Sequence, residues 1–336
     1  MYWKSKHDIF LIAEIGGNHE GNFEYAQELT QLACESGVDA VKFQIYTGDT
    51  LVNRLEDPDR NKHFKKFELQ PGQYIELAKQ CKSNNVLFCA SVWGSSAFEW
   101  INPYIPFYKV GSGDLTAYPI LDIVTSYVKP IVLSTGLSTM EEVEATVKYI
   151  QSKNVKYFNN DYLALLQCTS MYPIPPKDAN LDVMLAYKEK FNYPVGYSDH
   201  TIGRKAVETA IAIGAQIIEL HFTDKREGKT FRDHQISFNK QEVVDLIKRI
   251  KIIQTLKGNK AKTPLESEIK SNHIRSFRRA LYPARDMKKG EIIQEKDIVA
   301  LRPNHGIDAR DYDKVIGKVL IKKLKKFQKL TFKDIK

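Results

Sequence analysis

The sequence predicts an α/β protein: a (β/α)8 barrel followed by a small, mostly β module. Eight short runs rich in Ile, Val, Leu and Phe recur through the first 221 residues, as buried parallel strands do. The ends of these runs carry polar groups suited to chemistry: Glu14, Lys42 and Gln44, Ser91, Lys109 and Ser112, Ser134, Gln167 and Thr169, Ser198 and His200, and His221. Helical-looking segments lie between several of the runs. In a closed barrel the C-terminal strand ends converge on one face, so residues scattered along the chain become one pocket.

The first strand is expected over residues 10–15, ending at Gly16-Gly17-Asn18-His19, where two glycines permit a tight turn or close ligand approach. Asn22 then opens a helix over 25–36 that Gly37 closes. The second strand, 40–45, carries Lys42 and Gln44 at an i, i+2 spacing, which points both side chains to the same side. If that side is the lumen, an unpaired lysine is costly to bury. Residues 46–70 read as a long polar loop, and loops of such length in compact domains are usually functional or disordered.

A helix over 71–84, a strand over 87–91, a short helix near 95–102 and a strand over 107–110 come next. The strand at 131–134 leads to a helix over 139–152, whose Ser138-Thr-Met-Glu-Glu opening suits a capping box. Strands at 163–167, 195–197 and 217–220 complete eight, and a helix over 240–256 closes the layer. This gives a barrel domain over 1–257, a polar linker over 258–276 and a second module over 277–336. The module contains two similar phrases, Lys289-Gly-Glu-Ile-Ile-Gln-Glu-Lys-Asp297 and Lys326-Phe-Gln-Lys-Leu-Thr-Phe-Lys-Asp334.

Composition narrows the functional classes. The mean hydropathy is −0.39, and no apolar stretch approaches the ~18–20 residues that span a bilayer. The N-terminal residues lack the features of a signal peptide, which makes the cytoplasm the default location. The cysteines, Cys34, Cys81, Cys89 and Cys168, are too widely spaced for a zinc ribbon or a disulfide framework. The net charge of +9 owes much to lysines near the C-terminus, without an aromatic stacking platform, so no nucleic-acid partner is expected.

The chemistry concentrates at the strand ends. Lys109-Val-Gly-Ser-Gly-Asp114 suits an anion cradle, since lysine supplies a point charge and glycines let backbone N–H groups approach oxygens. Ser134-Thr-Gly136 and Tyr197-Ser198-Asp199-His200 add hydroxyls. His200 and His221, on neighbouring strands, have the placement of metal ligands that leave positions open to water and substrate; a hydrogen-bonded structural pair is the plainer alternative. Glu14 either pairs with Lys42 or moves protons, and both roles are compatible.

Together Ala13-Glu-Ile-Gly-Gly-Asn-His19, Val41-Lys-Phe-Gln44, Lys109-Val-Gly-Ser-Gly-Asp114, Leu133-Ser-Thr-Gly136, Gln167-Cys-Thr-Ser-Met-Tyr-Pro173, Gly196-Tyr-Ser-Asp-His200 and Glu219-Leu-His-Phe-Thr223 resemble the sialic acid synthases over almost the whole chain. The segment from about Phe277 to Lys336 resembles the antifreeze-like (SAF) module found after the TIM barrel in that family. The resemblance implies condensation of phosphoenolpyruvate with the open-chain aldehyde of an N-acylated hexosamine. It assigns Ser91, Lys109, Ser112, Ser134 and Ser198 to phosphoenolpyruvate, with Lys42 and Gln44 near its carboxylate or the reacting carbons. His200 and His221 would bind Mn²⁺ or Mg²⁺, Glu14 would handle protons, and Asp114, Tyr172 and Asp233 would face the sugar. Arg302, in Leu301-Arg-Pro-Asn-His-Gly306, would reach a partner's barrel, which implies a domain-swapped homodimer.

Two departures bear on the sugar. Thr230-Phe-Arg-Asp-His-Gln-Ile-Ser237 stands where the family often has Gly-Pro-Asp-His before a Ser, and Ser170 stands where some members carry Asn. Legionaminate or pseudaminate is therefore an alternative product to N-acetylneuraminate. A remoter alternative is a Schiff-base aldolase or lyase with Lys42 or Lys109 as nucleophile. A carbohydrate- or ice-binding protein would leave the barrel's histidines and lysines without a role.

Overall fold

The eight apolar runs form parallel strands in sequence order, and the last is hydrogen-bonded back to the first, so the barrel closes. They are β1 (Phe10–Glu14), β2 (Ala40–Ile45), β3 (Leu87–Val92), β4 (Tyr108–Val110), β5 (Ile131–Ser134), β6 (Leu163–Cys168), β7 (Val195–Asp199) and β8 (Ile217–His221). The computed structural model describes residues 3–336, and the chain divides after Gly258 into two units.

Strand alternation sorts the barrel's side chains into two populations. Phe10, Ile12, Ala40, Cys89, Phe107, Val132, Ala164, Leu166 and Ile217 form an apolar cluster with Trp3, whose ring meets Phe10 and Phe107 edge-on at 5.8 and 5.3 Å. The alternate residues, among them Leu11, Val41, Phe43, Leu133, Leu165 and Ile218, belong to the larger core shared with the helices. The inward parity of Ile12, Ala40, Cys89 and Ile217 continues along each strand to Glu14, Lys42, Gln44, Ser91, Glu219 and His221. One register thus makes a dry base and a polar top. Gly196 is required on β7, because a Cβ there would stand 2.1 Å from the Ile217 carbonyl oxygen.

The helices of this unit are α1 (Phe23–Glu35), α2 (Gly48–Leu51), α3 (Pro58–Lys65), α4 (Pro71–Ser83), α5 (Ala97–Ile101), α6 (Tyr118–Ser126), α7 (Met140–Lys153), α8 (Val183–Lys190), α9 (Lys205–Ala212) and α10 (Lys240–Lys257). Asn22 caps α1 by accepting the Tyr25 N–H at 2.8 Å, and Thr139 and Glu142 form the capping box of α7. The segment 46–70 is not a plain loop. Thr47 caps α2, and Asp57 followed by Pro58 starts α3, a local signal that overrides the segment's lack of hydrophobic period. Buried Asn61 ties the two helices by donating to Asp49 Oδ1 at 3.1 Å and to the Val52 carbonyl at 2.9 Å.

The second unit contains α11 (Glu266–Lys270) and α12 (His273–Phe277), so the expected linker over 258–276 is partly helical. An antiparallel pair, β9 (Ala280–Pro283) and β10 (Ile298–Leu301), and several isolated β-bridges surround a core of Leu281, Met287, Ile293, Ile307, Val315, Leu320, Leu324 and Leu330. The two repeated phrases end alike. Asp297 accepts the Gln294 N–H at 3.0 Å and pairs with Arg285, and Asp334 accepts the Thr331 N–H at 2.8 Å and pairs with Lys322. Among the described residues no helix is long and apolar enough to cross a membrane.

Candidate active site

A cavity of about 410 Å³ opens at the C-terminal ends of the strands. Its lining includes Glu14, Lys42, Gln44, Ser91, Lys109, Ser112, Asp114, Ser134, Ser170, Tyr172, Ser198, His200 and His221. Asp233 stands beside them, with Oδ2 3.9 Å from His221 Nδ1. Arg302 belongs to the second unit, where its guanidinium lies 5.4 Å over the Phe277 ring. Gln167 and Thr169 do not line the cavity. They donate to the carbonyls of Ala179 and Asp178, holding the loop after β6, and it is Cys168 between them that lines the pocket.

The floor is a network of four buried charges. Lys42 Nζ lies 2.9 Å from Glu14 Oε2 and 3.8 Å from Glu219 Oε2, and Lys109 Nζ lies 3.5 Å from Glu219 Oε1. Gln44 donates to Glu14 at 2.6 Å, and Ser198 donates to Glu219 at 2.9 Å. Burial alone would lower the pKa of Lys42, but Glu14 and Glu219 more than offset it and hold the ammonium above the ordinary lysine value. Lys109 is lowered, because burial outweighs its attraction to Glu219. Burial works against the Glu219 carboxylate, yet Lys109 and Lys42 keep it well below the usual carboxylate range. Glu219 was missing from the residues expected at the site, although it sits two positions before His221 on the same face of β8.

The imidazoles stand at the ends of β7 and β8, with His221 in register with Glu14. The rings of His200 and His221 are 5.2 Å apart, and the Tyr172 ring lies 4.0 Å from His200, tilted by 31°. Burial, then His221, drops the His200 pKa to about 3, so the ring is neutral at physiological pH. Its Nδ1 faces the Thr169 carbonyl at 2.9 Å, which assigns the proton to Nδ1 and leaves Nε2 with its lone pair. The loop after β8 clamps the pair: Arg232 lies 4.1 Å over the Tyr172 ring and pairs with Asp233 at 2.9 Å. Phe231 packs onto Gly17, whose Cβ would stand 2.8 Å from its ring, and against Phe67 at 4.8 Å.

Besides the ion-paired Glu14 Oε2 and Glu219 Oε2, three buried polar atoms near this floor have no hydrogen-bond partner in the protein: Ser91 Oγ, Ser134 Oγ and His221 Nδ1. Each unmet group costs about 1–3 kcal/mol. Such groups on three different strand ends mark a ligand-binding surface rather than a packed core. Ser112 Oγ accepts the Gly136 N–H at 3.0 Å, which fixes it in the cradle between Lys109 and Asp114. Burial raises the Asp114 carboxyl, and the Trp93 indole N–H, which donates to it, works the other way.

The remaining wall comes from the segment between β2 and α4. Leu51, Arg60 and Phe64 line the cavity, and Phe64 meets Tyr46 edge-on at 5.4 Å while Tyr46 lies 5.5 Å from Trp93. These residues escaped the sequence reading with the helices that carry them.

The NeuB family model matches residues 29–262, and the SAF domain model matches 278–336. The chain is 33% identical to the N,N'-diacetyllegionaminic acid synthase of Legionella pneumophila, covering 92% of this chain and 89% of that protein. It is 32% identical to the human N-acetylneuraminate-9-phosphate synthase, covering 80% of this chain and 76% of that protein. The crystal structure of N-acetylneuraminic acid (sialic acid) synthetase from Leptospira borgpetersenii in complex with citrate superposes with a TM-score of 0.72 at 28% identity, over 79% of this chain and 90% of that one. The barrel with its ringed pocket, the SAF module and these matches together establish that the chain belongs to the NeuB family, the enzymes of sialic acid and related nonulosonic acid synthesis.

Proposed function

We propose that the pocket condenses phosphoenolpyruvate with the open-chain aldehyde of an N-acylated mannosamine-type sugar, giving a nine-carbon 2-keto sugar acid and phosphate. The observation that carries this reading is the juxtaposition of a lysine-centred anion cradle with two imidazoles and unmet hydroxyls in one cavity. Lys109, Ser112, Ser134 and Ser91 would hold the phosphate and carboxylate, and Lys42 and Gln44 would set the enol against the aldehyde. C3 of the enol forms the new bond to the aldehyde carbon, whose oxygen takes a proton. Water adds at C2, and the C2–O bond to phosphate breaks as the ketone forms. Glu14, fixed by Gln44 and Lys42, is the group placed to pass the protons.

A divalent cation fits the wall at the ends of β7 and β8. His200 has a free Nε2 lone pair, His221 Nδ1 lacks a partner, and Asp233 stands next to it. No group of three or more His, Cys, Asp or Glu side chains among the described residues is arranged around one point, so the protein would offer two imidazoles and leave the other positions to substrate and water. Mn²⁺ or Mg²⁺ held by His200 and His221 would act as a Lewis acid on the aldehyde oxygen. Tyr172, Ser170, Asp114 and Asp233 would orient the sugar, and Arg302 would contact its acyl group from the SAF module of a partner in a homodimer. We place the enzyme in the cytoplasm.

Identities of 33% and 32% to synthases of different sugars do not choose the acceptor. A legionaminate- or pseudaminate-type product remains the alternative to N-acetylneuraminate. The deciding assay is phosphate release from phosphoenolpyruvate with Mn²⁺, run with N-acetylmannosamine, the 6-deoxy-diacetamido-mannose and the corresponding altrose. Turnover with one sugar that EDTA or His221→Ala abolishes supports the reading. Silence with all three in folded protein refutes it. Lys109, with its lowered pKa, is the lysine that a Schiff-base mechanism would use, so borohydride trapping with a keto acid tests that rival directly.

A further inference from the structure

Among the described residues, Arg60 is the one lysine or arginine lining the cavity that has no carboxylate partner. Lys42 is held by Glu14 and Glu219, and Lys109 by Glu219, while the third carboxylate, Asp114, accepts from Trp93. Two carboxylates therefore already neutralise the two lysines at the floor before any substrate binds, and Asp114 stands beside them. A phosphate monoester brings about −1.5 to −2 more charge, and phosphoenolpyruvate adds a carboxylate. Even with a divalent cation at the imidazoles, a further cation that no protein anion has already neutralised would help hold that charge.

Arg60 has that character. It sits in the first turn of α3 with its guanidinium 5.7 Å over the Phe64 ring, and it makes no ion pair among the described residues. Phe64 leads through Tyr46 to Trp93, which hydrogen-bonds Asp114 beside the Lys109 cradle. These contacts seat α3 over the ends of β2 and β3, and His63 on the same helix stacks 6.4 Å from Phe231 of the loop after β8. A planar, always-charged guanidinium suits bidentate contact with a phosphate.

We propose that Arg60 is a substrate-binding residue that grips a phosphate monoester at the mouth of the pocket. The inference rests on the reaction proposed above. Phosphoenolpyruvate is one source of that group, and an acceptor phosphorylated on its terminal hydroxyl is the other.

The test compares Arg60→Gln and Arg60→Lys with the wild-type protein by calorimetric binding of phosphoenolpyruvate and by initial rates, with phosphorylated and unphosphorylated acceptors. Loss of a charged hydrogen-bond pair predicts a KM for phosphoenolpyruvate raised roughly ten- to a hundredfold in Arg60→Gln, with kcat little changed and Arg60→Lys intermediate. Because Arg60 is exposed, Tm should not move. A rise confined to the KM of the phosphorylated acceptor keeps the inference and names the acceptor as the source. Both KM values within about twofold of wild type would overturn it. Wild-type protein that binds no phosphoenolpyruvate defeats the proposed reaction itself, and the inference with it.

Discussion

Glu219→Gln removes one negative charge from the floor while keeping the side chain's shape and an oxygen able to accept from Ser198. Lys42 retains Glu14 at 2.9 Å, but Lys109 loses its carboxylate at 3.5 Å. At an effective dielectric constant of about 20, a pair at that distance is worth about 5 kcal/mol, and breaking a buried pair typically costs about 3–5 kcal/mol. For a unit of this size that corresponds to a fall in Tm of roughly 10 °C. Lys109, already lowered by burial, should relieve part of the cost by shedding its proton, so the variant regains stability as pH rises toward the free lysine value. An anionic ligand should relieve it as well. Thermal unfolding with and without phosphoenolpyruvate checks both points: the ligand-induced rise in Tm should be larger in the variant than in the wild type. A variant with unchanged Tm and the same ligand response would refute the view of Glu219 as counter-ion of the cradle.

His19 is buried, and desolvation lowers its pKa to about 4. Its Nδ1 accepts the Gly21 N–H at 3.1 Å, a role only the unprotonated nitrogen fills. The unfolded chain protonates near the ordinary value of 6.5, so stability is complete above that pH and falls as pH drops toward 4. The loss is about 2 kcal/mol at pH 5, and His19→Gln should flatten that part of a Tm–pH profile. Gly196→Ala drives a methyl against the Ile217 carbonyl at 2.1 Å and Leu166 Cδ2 at 2.6 Å, between two strands that cannot part; soluble yield and circular dichroism should show loss of the fold. Gly72→Ala, where a Cβ meets nothing within 4 Å in α4, should be neutral or slightly stabilising in the same assays.

The barrel was legible because its strands announce themselves twice, by their apolar composition and by the polar groups and glycines at their C-terminal ends. Ala40–Ile45 and Ile131–Ser134 fall where the sequence places them, and the other strands shift by a residue or two at their ends. The short helices α6, α8 and α9 were not anticipated, since eight or nine residues give too few turns for a helical period to stand out. In the segment 46–70, charged residues hide any period, and only the caps at Thr47 and Asp57-Pro58 mark its helices.

The site was legible where strand parity was applied and illegible where it was not. Lys42 and Gln44 were paired by their i, i+2 spacing, and the structure puts both in the pocket. The same rule joins Glu219 to His221, and it turns Gln167 and Thr169 away while turning Cys168 inward. Charge balance leads to the same residue independently. Two lysines on inward positions of β2 and β4 cannot both be buried against Glu14 alone, so a second carboxylate had to come from a strand within reach. Glu219 is the inward acidic residue of β8, the strand that closes the barrel against β1, where it pairs in register with Ile12, two residues before Glu14 on the same face. The chemistry of a closed barrel is thus constrained by its own electrostatics: once the inward cations are known from parity, the carboxylates that permit them can be sought on the inward positions of the remaining strands. Arg60 lies outside that ring, on the connecting helix α3, and among the described residues it makes no ion pair, which is why parity does not find it.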